Sequence, residues 1–306
     1  MKRALLYRRG GLGDTLLTFP LLEVLKSKGY HVTAVGNTDY FELALKAGWA
    51  DKILPEIPTG DFDLKLIIGV DGNIKTFPSE RMWIVEHYLR EAGFWGVNYS
   101  KTLPLIKRSE NIPSKTVILH PSSGSRFKNL EPSLFLEIEE FLKERGFDVL
   151  YPLGEADRWL KEYVKDSVPI ARPVDFLAVA QNSALFVGSD SGFAHLSAYL
   201  GVPTVVIYGP SDPIVWRPIG ERVFALVPDL ECAPCFPDVC GEMTCLLKES
   251  LLQSLLPLLD HILVNVNEDN PFNFAGFEGF NLLYHSPRRN ALRDPSDTRS
   301  HSREGD

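Results

Sequence analysis

The stretch Leu185-Phe186-Val187-Gly188-Ser189-Asp190-Ser191-Gly192-Phe193-Ala194-His195-Leu196 decides the fold class of this chain. Leu185–Ser189 is a short apolar run and reads as a buried strand. Asp190-Ser191-Gly192 makes a turn, and a helix runs from Gly192 to Leu200. A strand that ends on a helix N-terminus is the usual ligand crevice of an open α/β sheet. Ser191 is placed to cap the helix, and Gly192 would let a ligand approach the backbone closely. His195 stands four residues beyond Ser191, so it lies on the same helix face. A lone histidine is more often a satisfied structural residue; the neighbouring turn raises the functional reading. The next strand, Thr204–Tyr208, ends in Gly209-Pro210-Ser211-Asp212-Pro213, a second rigid loop expected to face the same crevice.

Outward from this segment the same grammar repeats. Ala4–Arg8 is an apolar strand, followed by Gly10-Gly11-Leu12-Gly13-Asp14-Thr15 and a leucine-rich helix. His31–Gly36 and Leu64–Val70 read as strands, with helices over Tyr40–Ala47 and Glu80–Gly93. After a polar linker, Ile106 to Lys115, a second series begins with Thr116–His120. It continues through helices over Pro132–Arg145, Glu155–Lys165 and Asp175–Asn182, and closes with Lys248–Leu263, where Pro257 should kink the helix. Alternating strands and helices argue for parallel βαβ units. The expected organisation is a short first domain over residues 1–110, a second over 116–266, and a disordered tail over 267–306.

The bulk numbers fit this reading. The 306 residues suit two α/β domains, and 44% hydrophobic residues can bury real cores. A net charge of −8 argues against a general nucleic-acid surface. No apolar run approaches ~20 residues, the length of a membrane span. The first apolar run, Ala4–Tyr7, is shorter than the roughly 7–15 residues of a signal peptide. The expected location is therefore the cytoplasm, with room for peripheral contact at the inner face of a membrane.

Two further segments carry candidate chemistry. In Gly10–Thr15 the glycines permit a tight turn onto a helix, and Asp14 is either a helix cap or a reacting carboxylate. The segment lacks both G-x-G-x-x-G and G-K-[ST], so neither a dinucleotide fold nor a P-loop is indicated. His120-Pro121-Ser122-Ser123-Gly124-Ser125-Arg126-Phe127-Lys128 follows a strand. Its hydroxyls and backbone donors can cup phosphate oxygens, and Arg126 or Lys128 can offset their charge. A solvated loop with ordinary surface cations is the plain alternative.

Taken together, D-S-G-x-x-H-L-x-A-x-L-G-x-P, G-P-S-D-P, G-D-x-x-x-T-x-P (Gly13, Asp14, Thr18, Pro20) and H-P-x-S-G-S-x-x-K resemble glycosyltransferase family 9, the heptosyltransferases of the lipopolysaccharide inner core. The resemblance runs from Lys2 to Leu263. It implies a GT-B architecture, two Rossmann-like domains facing across a cleft. The second domain would hold an ADP-heptose-like nucleotide sugar, and the first a lipid-linked or glycan acceptor. Transfer would invert the anomeric centre without a metal or other cofactor. Asp14 matches the family's proposed general base, beside the cleft-turn residues Gly13 and Thr15. Ser122, Ser123 and Lys128 match donor-phosphate contacts, with Lys128 stabilising the departing diphosphate. Asp190, Ser191, Gly192 and His195 match the donor turn, and Glu155 lies near a ribose or sugar contact.

This chain departs from the family in three places. Its first domain is short, Leu130-Glu131-Pro132 replaces a tryptophan-proline pair, and the tail after Val266 has no counterpart. Cys232, Cys235, Cys240 and Cys245 form a local C-x2-C-x4-C-x4-C cluster. It admits a structural zinc, reduced thiols or a local disulfide. A sugar-nucleotide epimerase using the same cleft and a non-catalytic binding module are the rival functions.

Overall fold

The computed structural model of the protein describes residues 1–108, 114–235 and 244–264, and the backbone of 280–285. Cys240, most of the predicted tail and part of the predicted linker lie outside the described residues.

The first domain alternates β1 (Arg3–Arg8), α1 (Leu12–Leu16), α2 (Phe19–Ser27), β2 (His31–Gly36), α3 (Thr38–Lys46), β3 (Lys52–Leu54), β4 (Leu64–Ile68) and α4 (Ile84–Glu91). Its sheet has the order β3-β2-β1-β4, and every pairing in it is parallel. The second domain follows with β5 (Thr116–His120), α5 (Pro132–Glu144), β6 (Asp148–Leu153), β7 (Ser167–Pro169), α6 (Leu177–Gln181), β8 (Ser183–Ser189), α7 (Gly192–Tyr199), β9 (Thr204–Ile207), α8 (Pro213–Trp216), β10 (Val223–Pro228), α9 (Lys248–Val264) and β11 (Phe280–His285). Its order is β11-β10-β9-β8-β5-β6-β7. β8 lies at the centre of this sheet and is buried along its whole length. That burial on both faces is why it reads as a continuous apolar run rather than an alternation.

Two expectations change. The tail supplies β11, which pairs antiparallel with β10, Val223 opposite His285 and Pro228 opposite Phe280. Residues Glu155–Glu162 form a 3-10 helix rather than an α-helix. α9 runs from Lys248 to Val264 with Pro257 inside it, close to the expected bounds.

The domains share a core. Strand residues Ala4, Leu6 and Val32 of the first sheet belong to one buried cluster with Ile118, Phe186 and Val206 of the second. α7 is the bridge: the Tyr199 ring lies 6.4 Å from Phe19 and 5.9 Å from Trp49. A fully buried side chain of this size contributes about 1.5–3 kcal/mol relative to exposure. Arg172–Glu42 and Arg81–Asp212 also join the domains. Exposed pairs of this kind contribute about 0–1 kcal/mol each. Apolar packing around α7 therefore sets the angle of the cleft, and the ion pairs trim it.

Candidate functional site

A cleft of about 1400 Å³ opens between the domains, at the C-terminal ends of both sheets. Its floor is the meeting of α1 and α7. A Cβ on Gly13 would sit 2.9 Å from His195 Cδ2, and one on Gly192 would sit 2.8 Å from Leu12 Cβ. These glycines let the two helix ends touch. Leu12 fills the Cβ side of Gly192, while the Gly192 backbone still lines the cleft.

On the first-domain wall, Asp14 projects into the cleft with its side chain 36% exposed. Gly11 is the N-cap of α1, and Asp14, at the third helical residue, supplies the capping-box side chain. From there its carboxylate accepts the Gly11 N–H at 3.0 Å and an N–H from Arg8 Nη2 at 3.0 Å. One oxygen of the carboxylate is fixed by each donor, so the group is oriented while its outer lone pairs face the cleft. Thr15, expected at this turn, is buried and donates its hydroxyl to Gly11 O. It braces the turn and does not line the cleft.

The second-domain wall is built around Asp190. Its carboxylate accepts from Lys128 Nζ at 3.0 Å and lies 3.6 Å from His195 Nε2. Burial alone would raise this acid; the Lys128 charge and the His195 contact outweigh it and hold Asp190 well below the usual carboxylate range. Asp190 is thus the counterion that parks Lys128 at the cleft surface. Ser191 caps α7 through the Ala194 N–H, as its position in the sequence suggests. Gly192, the next residue, opens the helix, and its N-terminus carries partial positive charge toward the cleft.

The serine-rich loop divides its roles. Ser123 lines the cleft, with its N–H donated to Asn129 Oδ1 at 2.8 Å and its hydroxyl accepting the Ser125 N–H. Ser122 is fully buried and donates its hydroxyl to Asp157. It therefore does not offer that hydroxyl to a ligand, against the sequence expectation. Glu155 stands at the cleft rim, 89% exposed, with Arg158 at 3.7 Å as its neighbour.

Three participants escape the motif reading. Arg8 orients Asp14 from inside β1. Asp157 sits on the 3-10 helix and gathers Ser122, His120 and the Gly154 N–H. Arg81 crosses the cleft mouth to Asp212, with Nε at 2.6 Å from Oδ2 and Nη2 at 3.1 Å from Oδ1. Asp212 also caps α8 by accepting the Ile214 N–H, so the Gly209–Pro213 loop faces the cleft with its carboxylate already engaged. In the sequence Arg8 is only the last residue of the first strand, and Asp157 and Arg81 stand in stretches without a motif. Of the cysteines, Cys235 borders the cleft and Cys245 packs in the core of the second domain.

The comparisons converge on one family. Residues 98–245 match the model of glycosyltransferase family 9 (heptosyltransferase). Lipopolysaccharide heptosyltransferase 1 of Pseudomonas aeruginosa is 29% identical over 120 residues, 37% of this chain and 34% of that protein. Lipopolysaccharide heptosyltransferase 3 of Escherichia coli K12 is 26% identical over 118 residues, 35% of this chain and 34% of that protein. The chain thus spans about a third of the length of the curated relatives it matches. Among solved structures, a glycosyltransferase family 9 protein from Veillonella parvula superposes with a TM-score of 0.67 at 15% identity, covering 86% of this chain and 98% of that one. The E. coli ADP-heptose lipopolysaccharide heptosyltransferase II gives 0.65 at 14% identity, covering 87% and 100%. An E. coli heptosyltransferase solved with ADP gives 0.60 at 14% identity, covering 85% and 99%. At these identities the likeness shows the fold, the two facing parallel-sheet domains of the GT-B architecture.

Proposed function

We propose that this chain is a glycosyltransferase of family 9 and transfers a sugar from a nucleoside diphosphate donor to a hydroxyl of a lipopolysaccharide-type acceptor. The observation that carries the reading is the pairing across the cleft. An oriented, half-exposed carboxylate, Asp14, stands on one wall, and a cation, Lys128, stands on the other beside an open helix N-terminus.

The chemistry follows from that placement. The acceptor hydroxyl enters from the first domain, where Asp14 takes its proton. Its oxygen attacks the anomeric carbon on the face opposite the diphosphate. The carbon–oxygen bond to the diphosphate breaks, and its electron pair stays on the departing phosphate oxygen. A single displacement of this kind inverts the centre. Lys128, the Ser123 loop and the first N–H groups of α7 meet the charge that develops on the leaving group. Lys128 and the helix end supply positive charge at the position where many transferases use a metal ion, so the reading requires none. ADP-heptose is the donor we favour, because structural relatives were solved with ADP and with ADP-2-deoxy-2-fluoro heptose.

A thermal-shift screen of nucleotide sugars tests the donor. A ligand at about 100 times its dissociation constant adds about 2.7 kcal/mol. Stabilisation by ADP-heptose and not by UDP-sugars is expected, and stabilisation by UDP-sugars alone rejects the donor. Incubation with ADP-heptose and a heptose-deficient lipopolysaccharide core should then lengthen the acceptor. A changed sugar nucleotide with no lengthened product would make the protein an epimerase instead.

A further inference from the structure

The mouth of the cleft carries side chains that the transfer step does not use. Phe77 stands on the loop between β4 and α4 with 59% of its surface open. Trp216, the last residue of α8, meets it from the second domain, with ring centroids 5.7 Å apart and ring planes at 85°. The two rings form a corner rather than a stack, and both line the cleft. Pro78 and Val215 line it beside them. Arg81 and Asp212, next to the corner, hold each other through two hydrogen bonds. The remaining N–H groups of Arg81 and lone pairs of Asp212 can still serve a ligand.

The charge around this corner is one-sided. Among the described residues, the lysines and arginines that line the cleft are Arg81, Lys128 and Arg172. Each is already paired: Arg81 with Asp212, Lys128 with Asp190, and Arg172 with Glu42 and Asp175. The first-domain wall adds Asp14, Asp39 and Glu80, and the last two are exposed. The wall that should receive the acceptor therefore carries more carboxylate than cation.

That chemistry selects among sugars. A hydroxyl both donates and accepts, so it can satisfy Asp212 and Arg81 together. A carboxylate or phosphate only accepts, so it would meet the Asp212 lone pairs and the charges of Asp39 and Glu80. The C–H groups on one face of a pyranose carry partial positive charge and fit the electron-rich face of an aromatic ring. We propose that the acceptor presents an uncharged pyranose to the corner of Phe77 and Trp216, and that a carboxylate or phosphate on that sugar is rejected by the acidic first-domain wall. The inference rests on the transfer reading above and narrows its acceptor.

The test uses three core oligosaccharides cut from their lipid: one ending in an unphosphorylated heptose, the same one phosphorylated on that heptose, and one ending in a sugar acid. With ADP-heptose as donor, kcat/KM for the neutral end should exceed that for either anionic end by about tenfold or more at low salt. The gap should narrow as salt rises, since the Debye length shrinks from about 30 Å at 0.01 M to about 3 Å at 1 M. Asp39→Asn combined with Glu80→Gln should narrow it at low salt. Phe77→Ala and Trp216→Ala should each raise the acceptor KM by about tenfold without raising the donor KM. Phe77→Tyr and Trp216→Phe should keep most of the affinity. Phe77, the more open ring, decides the matter if Trp216→Ala does not fold. Equal use of neutral and anionic ends, an unchanged acceptor KM in Phe77→Ala, or a rise in the donor KM instead, overturns the proposal and leaves sugar transfer standing. Calorimetry with the same oligosaccharides and no donor separates the two readings. Preferential binding of the neutral end without transfer removes the transferase reading and keeps the corner as a sugar site. Neither binding nor transfer of any of the three removes both.

Discussion

Gly10–Thr15 in the first domain and Asp190–His195 in the second both lead a parallel strand onto a helix N-terminus, and each carries one aspartate. The two aspartates live differently. Asp14 stands at the third residue of its helix, with its side chain 36% exposed and held by Arg8 and Gly11. Asp190 stands before its helix, 7% exposed, pinned between Lys128 and His195. A shift of a few residues along the same turn separates a partly exposed carboxylate that faces the cleft from one that is buried and charge-paired. The comparison teaches that the motif fixes the backbone, while the neighbouring cation and the depth of burial fix the chemistry.

The comparison breaks most sharply at Asp14. Asp14→Asn keeps the shape, but it offers one acceptor oxygen to the two donors Arg8 and Gly11 and cannot accept the acceptor's proton. General-base catalysis of this kind is worth about 10²- to 10⁴-fold. The transfer rate should fall by about that factor, with stabilisation by ADP-heptose unchanged in a melting assay. Unchanged transfer would remove Asp14 from the mechanism.

Asp190 should fail in the opposite manner, through stability and binding. Lys128→Ala leaves a buried carboxylate without its cation, a change that costs about 3–5 kcal/mol for a fully buried pair and somewhat less here, since Lys128 is partly exposed. Asp190 is held below its ordinary range, so its ionised form contributes stability above the unfolded value of about 3.9. That contribution is lost as pH falls through the folded value. The gap between wild type and Lys128→Ala in denaturant unfolding should therefore be widest above about pH 4 and close below it. Adding Asp190→Asn to Lys128→Ala should recover part of the stability and none of the nucleotide-sugar affinity. Recovery of both would mean that Lys128 only balances Asp190.

The sequence showed the second-domain wall better than its opposite. β8 and α7 are legible because burial on both faces of a central strand leaves a continuous apolar run, and the cap at Ser191 is a local signal. The long-range partners are invisible to any local pattern. Ser122 is paired across 35 residues with Asp157, and Arg81 across 131 residues with Asp212. Such pairings exist only after the chain is folded, which is why Ser122 looked like a ligand contact and Asp157 looked like nothing. β11 is a single six-residue run in which Phe280, Leu282 and Tyr284 alternate, and its strand partner, β10, is likewise distant in sequence.

The smallest effect belongs to the clasp at the cleft mouth. Arg81 donates twice to Asp212, and Phe77 meets Trp216 edge-on at 5.7 Å just beside it. Arg81 is 56% exposed, so the pair should stabilise the fold by no more than about 1 kcal/mol. The shared core around Tyr199, with several buried rings at about 1.5–3 kcal/mol each, should hold the domains without it. Arg81→Ala should therefore shift the denaturation midpoint little, and less still at high salt, where exposed charges are screened. Asp212 keeps its second task as the cap of α8, so removing Arg81 tests the clasp alone. A large loss of stability in Arg81→Ala would show that polar contacts at the rim, and not the apolar floor, set the cleft.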